Sequence, residues 1–223
     1  MPLAWIAGLP RAAAMLLHRA RSPEERSASA ARARFDTDRW SLDLLKHLEW
    51  RRFEELCAAY FEALGFKAQI SQTRVGGAVD IGLCAAGADN VGIIVHCQPW
   101  NAYRVGTKPV RELRTAMTSA GAVEGVLVTS SRFTQEAVTL AAKENVQLVD
   151  GKDLLAKLTA LAPEKTLGLL KFATQGDFLT PTCPRCSIKM MSRRSTHEGR
   201  RFWGCPNYPR CKQTLYSTAN APA

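Results

Sequence analysis

Two groups of residues in this sequence have the types and spacing to do chemistry. Near the C-terminus, Cys183-Pro-Arg-Cys186 is followed after eighteen residues by Cys205, and after five more by Cys211. Zn²⁺ takes four soft ligands at tetrahedral corners, and a turn carrying Cys-x-x-Cys offers two of them from one knuckle. Four thiolates in this spacing predict one structural zinc, whose binding free energy replaces the core that a segment of about 40 residues cannot build. The alternative, a redox dithiol at Cys183 and Cys186, lacks the flanking βαβ pattern that would support it. Cys57, Cys84 and Cys97 stand singly in apolar segments and read as small buried hydrophobes. An odd total of seven cysteines, clustered this way, suits a reducing, cytoplasmic compartment better than a disulfide framework.

The second group lies in two apolar runs, Val79-Asp-Ile-Gly-Leu-Cys-Ala-Ala and Gly92-Ile-Ile-Val-His-Cys-Gln-Pro-Trp100, separated by Gly87-Ala-Asp-Asn90. The turn signal between β-branched runs predicts a hairpin. Period-two alternation puts Ile94, His96 and Gln98 on one face and Ile93, Val95 and Cys97 on the other, with Asp80 beside His96 and Gln98. An Asp on one strand, then an acidic or amide residue and a Lys two positions apart on the next, is the arrangement of a metal-dependent nuclease site. There, carboxylates hold Mg²⁺, the metal lowers the pKa of a bound water, and the Lys stabilises developing charge.

Gly76 to Leu83 and Val95-His-Cys-Gln-Pro-Trp100 resemble the core motif of the Mrr-type restriction endonucleases of the PD-(D/E)XK superfamily, roughly Gly-x-x-Gly-x-Asp-x-x and Val-Gln-Cys-Lys-Arg-Trp. The resemblance, over roughly residues 45 to 160, implies a restriction-endonuclease-like α/β fold, a central mixed sheet flanked by helices. Asp80 takes the place of the motif Asp, His96 stands where Gln or Glu is expected, and Gln98 stands where the Lys is expected. The opening segment, Leu48-Glu-Trp-Arg-Arg-Phe-Glu-Glu-Leu, is also similar, and implies that Glu54 lies close to the metal site. On an amphipathic helix considered alone, Glu54 and Glu55 more commonly face solvent.

The elements that must position these groups follow from local signals. Ser41 is an N-cap candidate; Leu42, Leu45, Leu48, Phe53, Leu56, Ala59, Tyr60 and Leu64 mark helical faces with a break near Trp50, and Gly65 is a C-cap. Phe66 to Ser71 reads as a strand, followed by a glycine-bearing loop from Thr73. After the hairpin, the pattern gives a helix over 108–120 with Arg111 and Arg114 outward, a strand over 124–131, a helix over 134–144, a strand over 146–149 and a helix from Gly151, capped by Asp150. Strands alternating with helices argue for helices on both faces of the sheet.

The predicted organisation is a basic arm over 1–40, a restriction-endonuclease-like domain over 41–162, a linker over 163–180 with a short helix near Leu167 to Phe172, a small zinc ribbon over 181–216, and a tail over 217–223. The arm has an apolar stretch too short and interrupted to span a bilayer. The formal net charge is +10, and from Pro181 onward eight Lys/Arg face one acid, Glu198, while the middle of the chain is balanced. A basic end meets phosphate; a solvated tail is the plainer alternative.

Cys183 to Thr214 resembles the C-terminal zinc finger of bacterial type IA topoisomerases, which implies binding of single-stranded DNA. Phe202, Trp203 and Tyr208 offer stacking surfaces, and Arg193, Arg194, Arg200, Arg201, Arg210 and Lys212 can follow a backbone. Trp203 serves packing or binding equally well at this level.

Three functions are compatible with these residues. In the first, a DNA-binding, nucleoid-associated protein carries a nuclease-type site that is degenerate, because Gln98 has no charge and His96 is a poor ligand for the hard Mg²⁺. In the second, an active Mg²⁺-dependent endonuclease obtains its cation from Lys108 or Arg74, with His96 as a general base. The third is an adaptor for DNA, RNA or protein. The chain is too short for topoisomerase activity, and its oligomeric state is not legible.

Overall fold

Ser41 starts the first helix as expected, its hydroxyl accepting from the Leu44 N–H at 3.0 Å. The computed structural model describes residues 35–75, 78–88, 90–98, 104–195 and 199–215. The expected arm falls outside them as far as residue 34, and so does the tail. Helix α1, Leu42–His47, ends before Leu48, and Glu49 caps α2, Trp50–Ala63, with its carboxylate accepting from Arg51 N–H. The break near Trp50 is therefore a helix start. Gly65, just beyond α2, has a φ of +97°, which a side chain would resist.

The strands are β1, Lys67–Val75; β2, Ala78–Cys84; β3, Ile93–Gln98; β4, Glu124–Thr129; and β5, Val146–Val149, in a five-stranded sheet ordered β1-β2-β3-β4-β5. The first three are antiparallel and the last three parallel. Strand β1 runs through Thr73 to Val75, where a loop was expected. A register shift between Ile70 and Arg74 lets pairing with β2 resume as far as Val75 opposite Ala78.

Helix α3, Thr107–Ala120, joins β3 to β4, and α4, Gln135–Lys143, joins β4 to β5. Thr134 caps α4 by accepting from Ala137 N–H at 3.2 Å. Asp150 and Asp153 form a capping box at the start of α5, Gly151–Thr159. The first residue of α5 sits so tightly on β4 that a Cβ at Gly151 would strike the Ser130 carbonyl. Two apolar cores result. Helices α1, α2 and α5 cover Ile81, Leu83, Val95, Val126 and Val149 on one face. Helices α3 and α4 cover Ile94, Leu127 and Val146 on the other.

The expected linker is largely helix. Pro163 opens α6, Pro163–Ala173, with its ring where no amide donor is needed. Leu169, Leu170, Ala173 and the following Phe178 are buried in the first core. Lys165 donates to the Ala63 carbonyl at 2.6 Å, Trp40 Nε1 to Thr166 O at 3.3 Å, and Arg52 to Phe172 O. The segment is part of the large domain's packing.

Beyond it, β6, Met191–Arg194, β7, Arg201–Gly204, and β8, Thr214–Leu215, form an antiparallel three-stranded ribbon. Its small core is Met190, Trp203 and buried cysteines. Among the described residues no helix is long and apolar enough to cross a membrane.

Candidate functional site

Antiparallel pairing of β2 with β3 sets Asp80 directly opposite His96. Asp80 Oδ1 and His96 Nδ1 lie 2.7 Å apart, a hydrogen bond within the sheet. The His96 side chain is 2% exposed and that of Asp80 19%. His96 Nε2 is buried and has no hydrogen-bond partner among the described residues. Gln98, two positions on, is half-buried at the end of β3. The hairpin register thus brings together the residues that the sequence reading grouped.

Glu54 does not face solvent: α2 buries it to 3% exposure. It is on the helix that packs against the opposite sheet face, where Cys57, one turn later, meets Cys97 of β3. The Cys97 thiol is pushed well above its ordinary range by its hydrogen bond with Cys57, by burial, and by the charges of Glu54 and Asp80. Glu54 and Asp80 therefore act on the same end of β3. Glu55 lies at the surface, paired with Arg51 at 3.2 Å.

Lys108 and Arg74 are the candidate replacement cations. Lys108 at the head of α3 is exposed and lies 3.7 Å from Glu112. Arg74 belongs to β1, and its side chain is outside the described residues. Of the two outward arginines of α3, Arg114 pairs with Glu144 at 3.2 Å. Mg²⁺ prefers several oxygen donors in near-octahedral geometry. Asp80 offers carboxylate oxygens, one of them bonded to His96, and Gln98, two positions beyond His96, offers an amide oxygen.

The four cysteines of the ribbon do fit a metal. Their sulfurs all lie within 4.8 Å of one another. Cys183 Sγ and Cys211 Sγ are 3.8 Å apart. A tetrahedron with Zn–S bonds of about 2.3 Å requires roughly 3.8 Å between sulfurs, far from the distance of about 2.0 Å in a disulfide. The first knuckle is shaped by Ser187, whose N–H bonds Cys183 O at 2.9 Å and whose φ is 55°. At the second, the backbone N–H of Gln213 pulls Cys211 down to about 7, while burial pushes Cys205 up to about 12.

Around this centre the basic residues face outward. Arg193, Arg194, Arg200, Arg201, Arg210 and Lys212 are all exposed. Arg194 lies opposite Arg201 across the β6–β7 ladder, a like-charge pairing that disfavours the ribbon unless an anion lies nearby. Tyr208 is 61% exposed, with the Arg193 guanidinium 5.8 Å from its ring centroid. Phe202 is half-buried. Trp203 is 7% exposed inside the ribbon core, which assigns it to packing.

The sequence reading missed the junction between the two modules. Glu49, 2% exposed, receives Thr182 N–H at 3.2 Å, Thr182 Oγ1 at 2.9 Å and Lys189 Nζ at 3.1 Å. Trp50 Nε1 donates to Thr182 O at 2.8 Å, and Glu49 N–H to Phe178 O at 2.8 Å. The only local signal was an acid in an N-cap position.

The chain belongs to the Mrr-type restriction endonuclease family, whose model matches residues 45–158. Residues 180–220 match the topoisomerase DNA-binding C4 zinc finger. Among solved structures, it is similar to EndoMS in apo form, at 20% identity and TM-score 0.37, over 45% of this chain and 44% of that one. It is also similar to the DNA modification-dependent restriction endonuclease AspBHI, at 19% identity and TM-score 0.42, over 67% of this chain and 40% of that one. A third is the MspJI restriction endonuclease in complex with a 27-mer oligonucleotide, at 16% identity and TM-score 0.37, over 70% and 36%. The chain thus spans less than half the length of each. No curated protein matches it. The chain thus joins a restriction-endonuclease domain to a zinc finger of the topoisomerase type.

Proposed function

We propose that the chain is a DNA-binding protein whose endonuclease-type site is degenerate, and that the zinc ribbon docks it on single-stranded DNA. The observation that carries the first part is the Asp80–His96 hydrogen bond at 2.7 Å. It engages one oxygen, Oδ1, of the carboxylate on which a Mg²⁺ site of this family would depend. Gln98 supplies no charge at the adjoining position, and Lys108 is turned to Glu112. Hydrolysis of a phosphodiester needs stabilisation of charge as it develops, and these side chains offer little of it.

Support for the second part comes from the ribbon's surface. Exposed guanidinium groups can track phosphates, and the exposed Tyr208 ring with Phe202 beside the arginines gives bases a flat surface, available only when they are unpaired. The zinc, once bound, holds the two knuckles together; Cys183, Cys186, Cys205 and Cys211 are its ligands in this reading.

The test is a cleavage assay with Mg²⁺ or Mn²⁺ on plasmid and oligonucleotide substrates, comparing the parent with Asp80→Ala and Gln98→Lys. The expected outcome is no cutting by the parent, with binding to single-stranded oligonucleotide that exceeds binding to duplex and weakens steeply as salt rises. Metal-dependent cutting by the parent that Asp80→Ala abolishes would overturn the degenerate reading and leave an active endonuclease.

A further inference from the structure

Beyond the ends of β3, which carries His96 and Gln98, and of its neighbour β4, a backbone pairing draws two arginines together. Val105 and Phe133 form an isolated parallel bridge. Val105 N–H donates to Arg132 O at 2.7 Å, and Thr134 N–H to Val105 O at 3.0 Å. The bridge fixes Arg104 beside Arg132 on the α3–α4 side of the sheet. Both are exposed and line one cavity of about 500 Å³. Neither side chain has a hydrogen bond or ion pair among the described residues.

The cavity has a second character. Phe133, Val138, Val146 and Leu148 give it an apolar floor, and Asp150 and Asp153 stand at its rim. Those two acids are already committed. Asp150 Oδ1 accepts from the N–H groups of Lys152 at 2.8 Å and Asp153 at 3.0 Å, and Asp153 accepts from Asp150 N–H at 3.4 Å. The N-terminal dipole of α5 offsets part of their charge. The groups left with unused hydrogen-bond donors to meet an anion are the two guanidiniums.

We propose that this cavity binds a single unstacked nucleotide of a DNA strand, with its phosphate between Arg104 and Arg132 and its base on Phe133 and the aliphatic floor. A guanidinium fork matches phosphate oxygens in a way a lone ammonium does not, and the backbone bridge sets the two arginines at neighbouring positions from which both forks can reach one phosphate. An aromatic face with aliphatic neighbours suits a base of any identity. The cavity volume lies within the range of small-ligand sites. The proposal rests on DNA as the partner and adds a binding site on the large domain whose lining includes neither Asp80 nor any residue of the ribbon.

The test is calorimetric titration of the full, zinc-loaded chain with deoxynucleoside 5′-monophosphates, inorganic phosphate and deoxynucleosides, beside binding of a labelled single-stranded oligonucleotide. The monophosphates are expected to bind more tightly than phosphate or nucleoside. Arg104→Gln and Arg132→Gln should each weaken them about tenfold, as expected when a charge-assisted hydrogen bond is removed. Phe133→Leu should weaken the monophosphates and leave phosphate unchanged, and Lys171→Gln, on α6, should change nothing. Zinc content and melting temperature confirm that each variant is folded. A parent that binds the oligonucleotide but no monophosphate at millimolar concentration overturns this proposal alone, as does affinity indifferent to both arginines. Phosphate binding as tight as that of the monophosphates, with no effect of Phe133→Leu, also overturns it. A parent that binds neither oligonucleotide nor monophosphate overturns the DNA-binding function as well.

Discussion

The α/β domain and the ribbon bury opposite kinds of residue. In the large domain the polar candidates are sunk into the fold: His96 and Glu54 are almost fully enclosed, and Asp80 is bonded to His96. In the ribbon the inside is thiolate, Met190 and Trp203, and every basic candidate is outside. An enclosed charge that already has a partner is a structural element, and its loss changes stability. An exposed charge set against another of its own sign, as Arg194 is against Arg201, is available to a polyanion, even where, as for Arg194, its Nε also donates to the Gly199 carbonyl at 2.8 Å. In the proposed reading, the smaller module therefore supplies the main docking surface for DNA.

The sharpest way to break this contrast is to strip the zinc. A structural zinc contributes about 10–16 kcal/mol in small domains, and the ribbon has too little apolar core to stand without it. Chelation or Cys205→Ser should abolish amide-exchange protection over 191–215 and oligonucleotide binding. The five-stranded sheet should keep its own cooperative melt. Retained protection in the ribbon would show that the metal is not what holds it.

Next in size is the junction. Glu49→Ala leaves Thr182 and Lys189 without their buried acceptor and removes the cap of α2, and should cost about 2–3 kcal/mol. Denaturant titration reads it. A destabilisation confined to the ribbon would show that α2 does not depend on the junction.

Smaller again, Arg193→Gln with Arg201→Gln should reduce the slope of log affinity against log salt by about 1 for each phosphate the variant no longer neutralises, with no change in melting temperature. A melting shift without a change in slope would reverse the assignment of those side chains. The smallest effect belongs to His96→Leu, which removes one hydrogen bond and returns a partly exposed carboxylate to water. A destabilisation of about 1 kcal/mol is expected, with oligonucleotide binding intact. Weakened binding would give the large domain's site the docking role assigned to the ribbon.

Much of this was legible because the signals were local. Period-two alternation and a turn signal suffice to pair Asp80 with His96, since hairpin register follows from a few neighbouring residues. Ser41, Thr134 and Asp150 were legible as caps because a side-chain acceptor three residues before an apolar face has few other uses. The cysteine spacing placed the ribbon. The misreadings have physical reasons. Strand β1 continues through Gln72, Thr73 and Arg74, polar residues of an edge strand that resemble a loop in composition. Helix α6 looked like a linker because Pro163, Gly168 and Gly176 dilute its pattern, and because Leu167 and Phe172 stay exposed while Leu169 and Leu170 are buried. Glu54 was ambiguous until α2 was seen to turn that side inward. The Glu49–Thr182 hydrogen bond joins residues 133 apart in sequence and has no local trace.

The α6 segment and the Glu49 junction together have a consequence for how a strand would lie on the molecule. Because Phe178 is buried in the large domain's core and Thr182 is bonded to Glu49 immediately before the first zinc ligand, the ribbon is a bracket rather than a tethered hand. If the proposed docking holds, a strand gripped by β6 and β7 would run past the larger body at a set offset.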